Sequence, residues 1–153
     1  PAAIAARMND ELTEKNDNCM FVTMFIGEMN LTTGHLYFCN AGHTPPVTGG
    51  DAQKGSFLKM KPNAPIGLWP KLQFIGEEIT SIKGRPLLIY SDGLNEAEND
   101  RQEQLGNDRM LDILRHTEFE NARQVVEVLN AEVERHRHGA EANDDLTIMC
   151  IRS

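Results

Sequence analysis

Two short apolar runs, each flanked by carboxylates, constrain this chain most. The first, Pro86-Leu87-Leu88-Ile89-Tyr90, runs straight into Ser91-Asp92-Gly93. The second, Leu146-Thr147-Ile148-Met149-Cys150-Ile151, follows directly on Asn143-Asp144-Asp145. Runs of this kind bounded by turn residues read as buried strands. Asp92 then stands at the C-terminal end of one strand and Asp144 at the N-terminal start of the other. If the strands run parallel, the two carboxylates fall at opposite edges of the sheet. If they are antiparallel neighbours, both fall at the same edge. The antiparallel arrangement is the expectation here, because it has chemical content. Hard cations such as Mg2+ and Mn2+ bind carboxylate oxygens on rigid supports and keep several waters. Taken singly, Asp92 and Asp144 are ordinary turn residues; their joint placement makes them candidates. Two strand-end acids are half of a metal site.

The rest of the chain reads as one α+β domain over residues 1–153 with a largely antiparallel sheet. Ile4, Met8 and Leu12 recur at helical spacing and predict a helix with that stripe inward. Cys19 to Gly27 is apolar in both alternating sets, which predicts a strand covered on both faces. Asn30-Leu31-Thr32-Thr33-Gly34 is a turn, and His35 to Cys39 returns as the second arm of a hairpin. Asn40 to Pro46 reads as a loop and Gly49-Gly50-Asp51 as a turn. Ser56 to Met60, Gln73 to Ile79 and Arg85 to Ser91 read as strands. Lys61 to Lys71 holds three prolines and reads as an ordered loop pinned by Ile66, Leu68 and Trp69. Two helices follow: one with Met110, Leu111 and Leu114 inward, the other with Ala122, Val125, Val126, Leu129 and Val133. Asn121-Ala122-Arg123-Gln124 fits a capping box for the latter, and Gly139 a stop after the basic run Arg135-His136-Arg137-His138. The abrupt start at Pro1, without a capping residue, gives the look of a piece of a longer protein.

Composition excludes some partners. Lys+Arg number 15 and Asp+Glu 23, a net charge of −8, which repels phosphate backbones and argues against nucleic-acid binding. No apolar stretch approaches the roughly 20 residues that span a membrane, and no secretory signal is visible. Cys19, Cys39 and Cys150 are odd in number and lie in or beside apolar runs, which points to buried thiols in a reducing cytoplasm. They lack the paired spacing of a zinc site. His136 and His138 sit two apart on a helix end, where they read as cations complementing the carbonyls.

Taken in order, several segments resemble the SpoIIE-type phosphatases, the bacterial branch of the metal-dependent (type 2C) Ser/Thr protein phosphatases. They are Met20-Phe21-Val22-Thr23-Met24-Phe25, Thr33-Gly34-His35-Leu36 and Asn40-Ala41-Gly42-His43-Thr44-Pro45-Pro46. Ala64-Pro65-Ile66-Gly67-Leu68, Leu88 to Ala97 through Ser91-Asp92-Gly93, and Asn143-Asp144-Asp145-Leu146-Thr147-Ile148 continue the match. Each piece is weak alone; the ordered set is specific and spans nearly the whole chain.

The resemblance implies an α-β-β-α sandwich with two Mn2+ or Mg2+ ions at one sheet edge. It implies metal ligation by Asp92 and Asp144, with Asp145 a weaker candidate and His43 adjacent to the site only. It implies hydrolysis of phosphoserine or phosphothreonine on a regulatory partner in bacterial signalling, often an anti-anti-sigma factor, by a metal-activated water. The family's bridging Asp precedes the first helix seen here, and the early carboxylates Asp10, Glu11, Glu14 and Asp17 do not replace it. The chain is therefore expected to be the C-terminal portion of a phosphatase domain, without its N-terminal strands, inactive by itself and inclined to form a homodimer. The competing reading is a non-catalytic regulatory module that keeps the fold. A third is an unrelated structural domain with Asp92 and Asp144 far apart.

Overall fold

A computed structural model describes residues 1–14, 16–50 and 53–152. In chain order its elements are α1 (Ala2–Glu14), β1 (Met24–Met29), β2 (Leu36–Ala41), β3 (Val47–Gly50), β4 (Gln53–Phe57), β5 (Glu77–Ile79), β6 (Leu87–Tyr90), α2 (Asn107–His116), α3 (Ala122–Arg137) and β7 (Ile148–Ile151). The class is α+β with antiparallel sheets, as the sequence suggests. The chain divides into two compact units, Pro1–His43 with Lys59–Ile82, and Thr44–Leu58 with Lys83–Ser153.

The first unit carries the sheet β1-β2-β5 with α1 packed on β2. The expected hairpin is present, from Met24↔Ala41 to Met29↔Leu36. Its turn is closed by Asn30 Oδ1, which accepts the N–H groups of Thr32 and Thr33 at 3.0 Å each. Of the expected stripe of α1, only Met8 packs on the core. Ile4 is 54% and Leu12 46% exposed, whereas Ala5 and Asn9 are fully buried. A polar contact turns the helix. Asn9 Oδ1 accepts the Gly67 N–H at 2.9 Å, and Asn9 Nδ2 donates to the Trp69 carbonyl at 2.9 Å. Buried backbone groups of the 61–71 loop need those partners, and small Ala5 lets the helix approach.

The strand expected at Cys19 to Gly27 also needs correction. It starts only at Met24, and Met20, Phe21 and Val22 stay exposed. Asn16 holds Met20 through both backbone groups, accepting its N–H at 2.8 Å and donating to its carbonyl at 2.7 Å. Cys19 adopts a left-handed φ of 52°. Such local side-chain bonds compete with a ladder. Val22 bonds Ile66 in both directions at 2.9 Å instead. Of the three expected loop anchors, Ile66 is fully buried, Leu68 half-buried and Trp69 exposed. β5 is shorter than expected because Asn63 takes the Ile75 N–H at 2.7 Å before the ladder begins.

The second unit carries the sheet β4-β3-β6-β7. β3 falls where loop and turn were expected; prolines before it and Gly49-Gly50 within it hide a strand that pairs with both β4 and β6. β4 (Gln53–Phe57) overlaps the expected Ser56 to Met60 at Ser56 and Phe57 and begins three residues earlier. Asp51 of the expected turn lies outside the described residues. β6 and β7 are antiparallel neighbours, from Leu87↔Ile151 to Tyr90↔Ile148, as the two apolar runs predict.

The helices cover this sheet. Val125, Leu129 and Val133 of α3 and Met110 and Leu111 of α2 join Val47, Leu88 and Tyr90 in one core, each large aliphatic side chain contributing about 1.5–3 kcal/mol. The α3 cap forms as read: Asn121 Oδ1 accepts the Gln124 N–H at 3.0 Å. Gln124 reaches back to the Glu120 N–H at 2.7 Å, one residue beyond a standard box. The helix ends through His138, itself left-handed at φ 52°, ahead of Gly139. Glu132 is buried between Arg109, which ties α2 to α3, and Arg135 of its own helix. The thiols are all free; Cys39 is buried and Cys150 half-buried, but Cys19 is exposed, against the expectation.

Tyr90 is 2% exposed, and burial pushes its phenol up to about 12. Burial favours the neutral form. Its contribution to stability is complete below the unfolded value of about 10 and is lost as pH rises through about 12. Urea midpoints measured across that window should fall steeply with pH, and less steeply for Tyr90→Phe. The remaining alkaline slope belongs to Cys39 and Cys150, whose thiols burial also pushes up. Equal slopes in the two proteins would refute the assignment.

Candidate functional site

Asp92 follows β6 through Ser91, and Asp144 precedes β7 through Asp145-Leu146-Thr147. Because the strands pair antiparallel, both carboxylates stand at the same end of the β6–β7 pair. Ser91 fastens the two segments together. Its N–H donates to the Thr147 carbonyl at 3.0 Å, and its Oγ donates to the Asp145 carbonyl at 2.9 Å. The same Oγ accepts the Thr147 N–H at 2.9 Å. Asn143 adds a second tie, donating to the Glu96 carbonyl at 2.9 Å and accepting the Glu98 N–H at 3.2 Å.

Gly93 lets the segments meet. A Cβ there would lie 2.4 Å from the Asp145 carbonyl oxygen. Below them, fully buried Leu94 and Ala97 seat the 92–97 loop on the core. Neither Ser91, Gly93 nor Asn143 was assigned a role from sequence. Their signal lies in the motifs Ser91-Asp92-Gly93 and Asn143-Asp144-Asp145, where each neighbours a candidate carboxylate.

Asp92, Asp144, Asp145 and Glu96 are all exposed at this end. Asp144 Oδ1 accepts the Asp145 N–H at 2.7 Å, which orients its carboxylate. Like charges held on one seam repel, and a cation between them relieves that repulsion. Exposed carboxylate oxygens suit a hard divalent ion that keeps its waters. The residues therefore fit Mg2+ or Mn2+ in kind. In number they fall short: among the described residues no group of three or more His, Cys, Asp or Glu stands ready to hold a metal ion.

His43 belongs to the first unit. Asn40 clasps it there, accepting its N–H at 2.9 Å and donating to its carbonyl at 2.9 Å. Its Nδ1 lies 3.3 Å from Thr23 Oγ1. The structure thus places Asp92 and the Asp144-Asp145 pair at the same end of the β6–β7 pair, and gives His43 a local setting of its own.

The comparisons agree in direction. The family described as stage II sporulation protein E (SpoIIE) matches residues 1–153. Protein IcfG of Synechocystis is 27% identical over 140 residues, covering 91% of this chain and 22% of that protein. The SiaA-PP2C domain of Pseudomonas aeruginosa superposes with a TM-score of 0.82 at 19% identity, covering 100% of this chain and 61% of that one. The Mn-presoaked phosphatase domain of the cell fate determinant SpoIIE from Bacillus subtilis gives 0.69 at 19% identity, covering 99% and 65%. These likenesses show the PP2C fold. The chain spans about a fifth of the curated relative's length and under two thirds of either solved domain.

Proposed function

The chain belongs to the SpoIIE family, and on that premise we propose that it forms part of a metal-dependent protein phosphatase acting on phosphoserine or phosphothreonine. One observation carries the reading: Asp92 and Asp144 stand at one end of the antiparallel β6–β7 pair, on segments sewn together by Ser91. Asp92 and Asp144 would hold Mn2+ or Mg2+, with Asp145 a lesser contributor and His43 adjacent at most. When bound, the ions supply an activated water and positive charge against the phosphoryl oxygens. The chain's own share is positioning. Ser91 Oγ is engaged on both sides, by the Asp145 carbonyl and the Thr147 N–H, so it acts as a fastener and not as a nucleophile. Asn143 and Gly93 fix the spacing of the two acidic segments.

The proposed substrate is a phosphorylated regulatory protein of bacterial signalling, an anti-anti-sigma factor being the leading candidate, in the cytoplasm. No helix among the described residues is long and apolar enough to cross a membrane. The exposed apolar side chains Met20, Phe21, Leu12 and Trp69 favour a homodimer. One observation favours the second reading, a non-catalytic module of the same fold: the described residues offer no set of three metal-ligating side chains.

The test has two arms. The protein that carries this chain, assayed on a phosphoserine peptide, should release phosphate with Mn2+ and stop in excess chelator. Undiminished release in chelator would overturn the metal-dependent reading, and none in any divalent ion would favour the module. The 153-residue chain alone should bind Mn2+ weakly by calorimetry and turn over little. Two tight sites in the isolated chain would contradict the shortage of ligands.

A further inference from the structure

The second unit holds a partly enclosed cavity of about 260 Å³ at the other end of the same strand pair. It touches Pro86 and Leu88 at the start of β6 and Cys150 and Arg152 at the finish of β7, whereas Asp92 and Asp144 lie past the opposite ends. Leu88, Leu114, Phe119, Val125 and Cys150 form the apolar part of its lining, beside Thr48 and Thr117. Exposed Arg115, His116, Glu118 and Arg152 border it as well.

Both arginines are held in place. Arg115 Nε donates to the Gly55 carbonyl at 3.0 Å, and Arg152 Nη1 donates to the Phe119 carbonyl at 2.7 Å. A guanidinium has five N–H donors, so each keeps others to offer. Among the described residues neither arginine takes part in an ion pair. The last turn of α2 also borders the cavity, and its carbonyls would oppose an anion. Two of them are already occupied: Asp112 O by His116 Nδ1 at 2.9 Å, and Ile113 O by the Thr117 N–H at 3.1 Å. The sign along this border is therefore set by two fixed guanidiniums against the single carboxylate of Glu118.

Size narrows the occupant. A cavity of about 150 Å³ takes a benzene ring, and typical ligand pockets begin near about 300 Å³. The space here suits one ring with a short chain. We propose that this cavity is a binding site for a small carboxylate with a single apolar ring, its ring against Leu88, Leu114 and Val125 and its carboxylate on Arg115 and Arg152. Rigid cations and a pre-formed apolar wall give the two halves of such recognition.

Phenylpropionate is the probe, and its neutral amide the control, both titrated into the chain and followed by amide NMR. Phenylpropionate should bind saturably, with shifts concentrated in residues 84–88, 114–119 and 150–152. The amide should bind about tenfold more weakly, the loss expected when a charge-assisted pair is removed. Arg115→Gln with Arg152→Gln should bring the two ligands to equal affinity, and Cys150→Met, which fills the floor, should abolish both. Absence of saturable binding to the unsubstituted chain would overturn the site. Equal affinity of acid and amide there would overturn the carboxylate, a comparison that needs no variant to fold.

Discussion

On the proposed function, Asp92→Asn in the protein that carries this chain should lower phosphoserine hydrolysis by about a hundredfold or more and leave the melting temperature nearly unchanged. The substitution keeps the shape of the side chain and removes its charge. Asp92 is exposed, and the loop is held by Ser91 and by the buried Leu94 and Ala97, so the fold does not depend on that charge. The proposed cation site would depend on it directly. The same substitution at Asp144 should act alike, because the carboxylate stands at the same end of the strand pair. Steady-state turnover with Mn2+ at several concentrations separates lost affinity from lost rate. Turnover equal to that of the parent would remove Asp92 from the site.

Gly93→Ala is the second large effect, and it works through the backbone. The added Cβ would lie 2.4 Å from the Asp145 carbonyl oxygen and 2.9 Å from its carbonyl carbon. Neither atom can rotate away as a side chain would, so the 91–94 and 144–146 segments must part. Overpacking of this sort costs about 1–3 kcal/mol. A misplacement of about 1 Å at a catalytic constellation can cost about a hundredfold in rate. A lower urea midpoint together with a fall in turnover of that order is expected. Unchanged stability and turnover would mean that the seam between the segments is looser than its hydrogen bonds indicate.

The strand pair and its two acids were legible because the signal is local. A short apolar run beside a turn residue announces a buried strand whatever its partners are. The unassigned pieces were those made by distant pairing. Ser91 bonds Asp145 and Thr147, and Asn143 bonds Glu96 and Glu98, across the whole of α2 and α3. Nothing near Ser91 in the sequence distinguishes a fastener from a turn hydroxyl. β3 was hidden by its own glycines and the prolines before it, since its strand state comes from two neighbours and not from propensity. The cavity is bounded by β3, β4, β6, α2, α3 and β7 together, and no stretch of sequence outlines it.

α1 shows a different kind of illegibility. Its apolar side chains at Ile4 and Leu12 face outward, and an amide at Asn9 occupies the place a leucine would normally hold. Tolerance to substitution in this helix is therefore inverted with respect to hydropathy. A polar replacement at Ile4 costs the fold little, while an apolar replacement at Asn9 orphans a buried N–H and a part-buried carbonyl. A library designed by conserving hydrophobic residues and randomising the rest would protect the wrong side of the helix.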